Sequence, residues 1–136
     1  MHATHYLMKR TYTFDPLVHL GLIVAALCHD VAHTGRTNAY EIAKLTKLAI
    51  RYHDKSVLEQ HHAATTFKIL DDKKYNIFAN IKGEEFRKLR KNMISNILAT
   101  DMKEHVELMK NFKDLKNRMG EAANVEEFGN LSLLLK

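Results

Sequence analysis

Apolar positions along the chain recur at helical spacing, and nowhere do they fall into the strict two-residue rhythm of a half-buried strand. LVHLGLIVAALC, residues 17–28, is apolar nearly all round, which predicts a buried helix. Asp15 and Pro16 offer its N-cap and first helical position, and its end is expected near Gly35. The opening MHATHYLMKRTYTF also reads as helix. Thr37 or Asn38 caps a further helix containing Tyr40, Ile42, Leu45 and Leu48, with RYHDKS as the connection after it. Ser56 begins the next one. Glu59 follows it at the spacing of a capping box, and Val57, Leu58, Phe67 and Leu70 form an apolar stripe. Beyond the polar turn DDKKYN, a long helical pattern passes through Phe86, Leu89, Met93, Ile94, Ile97 and Leu98 to Asp101, with more helix to about Met119. The expected fold class is therefore all-α, in one domain without internal repeats. GEAANVEEFGN looks loop-like, and the apolar closing segment LSLLLK raises the expectation that the domain continues beyond this chain.

Composition narrows the class. With 46% apolar and 27% charged residues, a chain of 136 residues can bury a core, which excludes low-complexity and disordered classes. A single cysteine fits a reducing compartment, so an intracellular, cytoplasmic location is expected. Residues 17–28 fall short of the roughly 20 apolar residues of a membrane span, and the N-terminal segment lacks the pattern of a secretory signal. The formal charge is +5, but its densest basic run, KGEEFRKLRK, contains two Glu. That mixture reads as a solvated helix face and argues against a nucleic-acid partner.

The chemistry concentrates in histidine, of which there are nine. In LCHDVAHTGRTN, His29 and Asp30 are adjacent and His33 follows one turn later. Imidazole nitrogen suits zinc, whereas a carboxylate can also bridge to a harder ion such as magnesium or manganese. Two such ions bind a phosphate and activate a water. Alone, the pair is a weak signal, because a lone buried histidine is more often a hydrogen-bonded core residue. Two further polar clusters lie in apolar helices: YHDKSVLEQHH, and the Thr100–Asp101 end of ILATDM. Taken singly, the first is a capped helix start with His61 and His62 partly exposed, and the second a helix end in water. Together the three look like one shared site, because polar groups facing a core need partners.

HDVAHTGRTN, YHDKSVLEQHH and ILATDM, in this order and separation, resemble the catalytic domain of the class I 3′,5′-cyclic nucleotide phosphodiesterases. The resemblance runs from about Thr4, in THYLM, to about Phe112 and is loose thereafter. It implies that residues 1–136 are a partial catalytic domain, an all-α helical subdomain of the HD type. The implied reaction is hydrolysis of cyclic AMP or cyclic GMP to a nucleoside 5′-monophosphate in signal transduction, with two divalent metals, zinc-like at the first site and magnesium or manganese at the second. By the same resemblance His29 is a ligand of the first metal and Asp30 bridges both. His33, Glu59 and Thr100 match residues that hold the attacking hydroxide and the waters around the second metal.

The pattern also departs from the family. The family's general-acid histidine and a metal-ligand histidine precede the THYLM-like segment; His2-Ala3 resembles the end of that motif but lies too close to His29. A second metal-binding Asp and the purine-gripping glutamine would fall after Lys136. Ala32, Thr34 and His53 replace an acidic residue, a proline and an asparagine. The expected partners are thus a cyclic nucleotide and the missing parts of the catalytic domain, without which the chain should be inactive or severely impaired. Two other readings remain, a non-catalytic helical interaction module and another HD-type metal phosphohydrolase.

Overall fold

The computed structural model describes residues 1–11 and 15–119, with seven helices and no strand among them. In chain order these are α1 (His2–Thr11), α2 (Pro16–Cys28), α3 (Asn38–Ala43), α4 (Lys47–Tyr52), α5 (Val57–Asp71), α6 (Gly83–Leu98) and α7 (Met102–Met119). The all-α expectation holds. The GEAANVEEFGN tail and the LSLLLK segment lie outside the described residues.

The start of α2 follows its sequence signals. Asp15 Oδ1 accepts from the Leu17 N–H at 2.7 Å and the Val18 N–H at 3.4 Å, with Pro16 at the first helical position. Its end does not lie near Gly35, as expected, but at Cys28. There the chain tightens into turns: the Val31 N–H donates to the Cys28 carbonyl, the His33 N–H donates to that of Asp30, and Ala32 takes a left-handed φ of 58°. His29 and Asp30 are consequently held at a helix terminus. Burial of α2 is also one-sided. Val24 and Ala25 face the core, whereas Leu20 and Leu27 are exposed, because only the face turned to α6, α5 and α1 is covered by described residues.

One expected helix is two. Thr37 Oγ1 caps α3 by accepting from the Tyr40 N–H, Leu45 breaks the helix with a φ of 47°, and Thr46 Oγ1 caps α4 by accepting from the Ala49 N–H. Buried Glu41 fixes the break. Its carboxylate accepts from the hydroxyls of Thr34 at 2.8 Å and Thr46 at 2.6 Å. The Thr46 and Thr34 hydrogen bonds hold the Glu41 carboxyl below its ordinary pKa.

The capping box at Ser56 does not form. Ser56 sits at the N-cap of α5 in a left-handed conformation, φ 41°, with its side chain turned elsewhere. Asn38 replaces it, since its Oδ1 accepts from the Leu58 N–H at 2.8 Å. A residue of α3 therefore caps α5.

The core joins α2, α5 and α6 through Val24, Ala25, Ala63, Leu70, Leu89, Met93 and Ile97, closed by Phe78 from the α5–α6 connection. Gly21 allows the close approach of α2 to α6: a Cβ there would lie 2.8 Å from Leu89 Cδ1. Both arginines of the basic run on α6 are engaged, Arg87 with Glu84 at 2.8 Å and Arg90 over the ring of Phe67 on α5 at 4.4 Å. No helix among the described residues is long and apolar enough to cross a membrane.

Candidate metal centre

The turn after α2 carries His29, Asp30 and His33 towards one histidine of α5. His62 is 2% exposed and lies in the buried series Leu58, His62, Thr66, Leu70. Its Nδ1–H donates to the Val31 carbonyl at 2.8 Å. The other ring nitrogen, Nε2, is then directed at Asp30 Oδ1, 3.8 Å away. His29 is arranged in the same way: its Nδ1–H donates to the Ala26 carbonyl at 3.0 Å, and its Nε2 lies 3.3 Å from Asp30 Oδ2. A carbonyl only accepts, so the proton of each neutral ring is fixed on Nδ1. Two nitrogen lone pairs thus face the two oxygens of one carboxylate.

With both rings neutral, these four acceptors repel one another, and a cation removes that repulsion. Burial holds the His62 imidazole below its ordinary pKa, against the raising influence of the Val31 carbonyl and the Asp30 charge, which favours the neutral ring. Nitrogen and oxygen donors with backbone-fixed tautomers are the composition and support that divalent zinc and its neighbours prefer. The donor set therefore fits a divalent metal.

His33 differs. Donor atoms of Asp30, His33 and His62 lie within 4.8 Å of one another, and the His33 and His62 rings stack at 5.5 Å. Yet His33 Nδ1 accepts from the Gly35 N–H at 2.9 Å. The proton of neutral His33 must then sit on Nε2, making that atom a hydrogen-bond donor rather than a ligand.

Glu59 stands one helical turn before His62 and contributes a charge that favours protonated His62. Its Oε2 accepts from Asn38 Nδ2 at 2.9 Å, so Asn38 holds both the helix start and this carboxylate. Thr100 is exposed at the end of α6, and its hydroxyl donates to the Ile97 carbonyl at 2.7 Å. No described contact joins it to His29, Asp30 or His33. The adjacent Asp101 links the two regions: it is 4% exposed, and its Oδ2 accepts from the Ser56 hydroxyl at 2.8 Å. The helix end in water that Thr100 and Asp101 suggest when taken singly is, at Asp101, a buried tie between α6 and α5. His2, on α1, makes no described contact with the centre.

Sequence reasoning missed His62 as a member of the site by treating His61 and His62 together as partly exposed. The available signal was its four-residue spacing from Leu58 and Thr66, which assigns His62 alone to the buried stripe.

Residues 1–135 match the family model described as 3′5′-cyclic nucleotide phosphodiesterase. The chain is 41% identical, over 135 residues, to the high affinity cGMP-specific 3′,5′-cyclic phosphodiesterase 9A of Pan troglodytes, covering 99% of this chain and 23% of that protein. It is 39% identical to the high affinity cAMP-specific and IBMX-insensitive 3′,5′-cyclic phosphodiesterase 8A of Homo sapiens, covering 95% of this chain and 16% of that one. Among solved structures, the phosphodiesterase domain of the RhoPDE fusion protein from the choanoflagellate Salpingoeca rosetta superposes with a TM-score of 0.86 at 35% identity, over 98% of this chain and 44% of that domain. The chain thus spans about a quarter or less of these curated relatives.

Proposed function

The chain belongs to the 3′,5′-cyclic nucleotide phosphodiesterase family, and from that premise we propose that its histidine–aspartate centre serves the metal-dependent hydrolysis of cyclic AMP or cyclic GMP to the nucleoside 5′-monophosphate. The observation that carries this reading is the convergence of His29 Nε2 and His62 Nε2 on the two oxygens of Asp30. A divalent ion there would polarise phosphoryl oxygens and acidify water. His29 and Asp30 are assigned as its ligands, with a zinc-like ion at the first position and magnesium or manganese at a second that Asp30 shares. His62 aligns Asp30 and the turn that carries it, and its free Nε2 can join the set.

His33 is assigned to hydrogen bonding. With the Gly35 N–H on the opposite nitrogen, its Nε2–H would serve as a donor to a water or phosphate oxygen. Glu59, fixed by Asn38, supplies an acceptor for water, and Thr100 a hydroxyl at the neighbouring helix end. Positioning and charge stabilisation of this kind carry most of the rate in phosphoryl transfer.

The reading assigns residues 1–136 as one portion of a catalytic domain acting in cytoplasmic signalling. A catalytic zinc ordinarily has at least three protein ligands, and the chain covers 44% of the solved domain. Hydrolysis by the 136-residue chain alone should therefore be absent or severely reduced. The test is turnover of cyclic AMP and cyclic GMP with zinc and magnesium, paired with zinc titration by calorimetry. Asp30→Ala is expected to bind one equivalent of zinc fewer than the unaltered chain, with little or no turnover. Robust turnover abolished by Asp30→Ala would overturn the partial-domain assignment, and no zinc binding by a chain of normal helicity would favour a non-catalytic helical module.

A further inference from the structure

A second pair of histidines stands apart from the Asp30 centre, where α1 meets α2. His5 lies in the middle of α1 and His19 in the second turn of α2, with ring centroids 5.9 Å apart and planes tilted by 40°. The contrast with the first centre lies in what the ring nitrogens do. His29, His33 and His62 each commit one nitrogen to the backbone. Among the described residues, neither His5 nor His19 has a hydrogen-bonding partner for either nitrogen. His5 is exposed and His19 half-buried, so water and ions reach the pair.

We propose that His5 and His19 form a separate site for a divalent transition metal, zinc or a close relative, that clips α1 to α2. The geometry is the reason. A zinc–nitrogen bond of about 2.0–2.1 Å, added to roughly 1.2 Å from nitrogen to ring centre, puts two imidazole centres on one tetrahedral ion about 5–5.5 Å apart. The observed 5.9 Å is about half an ångström wider, a gap that rotation of the exposed His5 side chain can close. Water completes the coordination. The clip would also answer a weakness of the fold: Met8 is the one buried residue of α1 among those described, and α2 is the main helix against which α1 packs. An ion bound only to the docked arrangement stabilises it by mass action.

The experiment uses the untagged 136-residue chain, stripped with chelator, and zinc as the probe. Calorimetric titration of Asp30→Asn, in which the first centre is impaired, should still show one equivalent of zinc. Adding His5→Gln or His19→Gln to that variant should each remove it, with helicity unchanged by circular dichroism. Zinc should raise the melting temperature of Asp30→Asn and leave both double variants unmoved. Zinc binding that persists in both double variants overturns the proposal, as does an Asp30→Asn chain that takes up no zinc. Should Asp30→Asn fail to fold, the same two histidine substitutions in the unaltered chain must lower its zinc stoichiometry by one equivalent. The catalytic reading stands or falls separately, on the zinc lost with Asp30.

Discussion

His62 Nε2 lies 3.8 Å from Asp30 Oδ1 while its Nδ1–H holds the carbonyl of Val31, the residue next to Asp30. One imidazole of α5 thus grips the side chain and the main chain of the same turn. His62→Phe keeps an aromatic ring in a site that is 2% exposed but leaves the Val31 carbonyl unpaired. The expected destabilisation is about 1–3 kcal/mol, the cost of an unmet buried acceptor. Zinc affinity should fall tenfold to a hundredfold, the range for losing a group that orients a metal ligand. Denaturant unfolding and calorimetry measure the two effects, and an unchanged zinc affinity would remove His62 from the centre.

Asn38 makes a second connection of this type, with its amide nitrogen donating to Glu59 Oε2 and its amide oxygen capping the Leu58 N–H. Asn38→Ala removes both and should cost about 1–2 kcal/mol, as expected for loss of a helix cap with one further hydrogen bond. Asn38→Asp separates them. The cap survives in that variant, but two carboxylates meet, so it should be weaker than the unaltered chain and regain stability as salt screens the repulsion. Urea midpoints at low and at high ionic strength report the difference.

These two contacts mark where the sequence was legible and where it was not. Asp15-Pro16 specified the start of α2 because every group involved is within three residues. The stripe through Leu89, Met93 and Ile97 specified the buried face of α6 for the same reason, as helical periodicity is local. Ser56 and Glu59 have the spacing of a capping box, yet each side chain is taken by a distant partner, Ser56 by Asp101 and Glu59 by Asn38. Tertiary contacts outcompeted a local motif. The left-handed residues Ala32, Leu45 and Ser56 carry no glycine signal, so the early end of α2 and the division of α3 from α4 had no mark in the sequence. At the candidate centre, the His29-Asp30 pair was visible as a string. The tautomers that separate His33 from His29 and His62 depend on backbone groups that only the folded turn supplies.

Two groups give the metal-free chain an acid-sensitive stability with a definite sign. His62 is held below its ordinary pKa chiefly by burial, so the unfolded chain binds its proton first and stability rises with pH in that window. The contribution is complete above about pH 6.5 and is lost as pH falls towards the lower folded value. Glu41, lowered by the Thr46 and Thr34 hydroxyls, acts in the same direction further down. Its contribution is complete above the ordinary glutamate range and is lost as pH falls through the folded value. Unfolding free energy in chelator should therefore decline in two stages on acidification. His62→Phe should remove the upper stage and Glu41→Gln the lower; a flat profile through the upper window in the unaltered chain would contradict the assignment to His62.

The Ser56–Asp101 tie sets two effects against each other. The Ser56 hydroxyl donates to a carboxylate that is 4% exposed, and the same Asp101, through Oδ1, caps the Lys103 N–H at 3.0 Å. A hydrogen bond to a charged group contributes about 1.5–3 kcal/mol, so Ser56→Ala should cost that amount. Ser56 also occupies a left-handed φ of 41°, which a glycine adopts with less strain. Relief of about 1 kcal/mol is typical for a non-glycine residue in this region. Ser56→Gly should therefore be less destabilised than Ser56→Ala by about 1 kcal/mol, though still weaker than the unaltered chain, because the lost hydrogen bond outweighs the strain relieved. Asp101→Ala loses the tie and the α7 cap together and should exceed both, at about 2–4 kcal/mol. Chemical denaturation of the three variants tests the order, and equal losses for Ser56→Ala and Ser56→Gly would mean that the backbone strain at Ser56 is not being relieved.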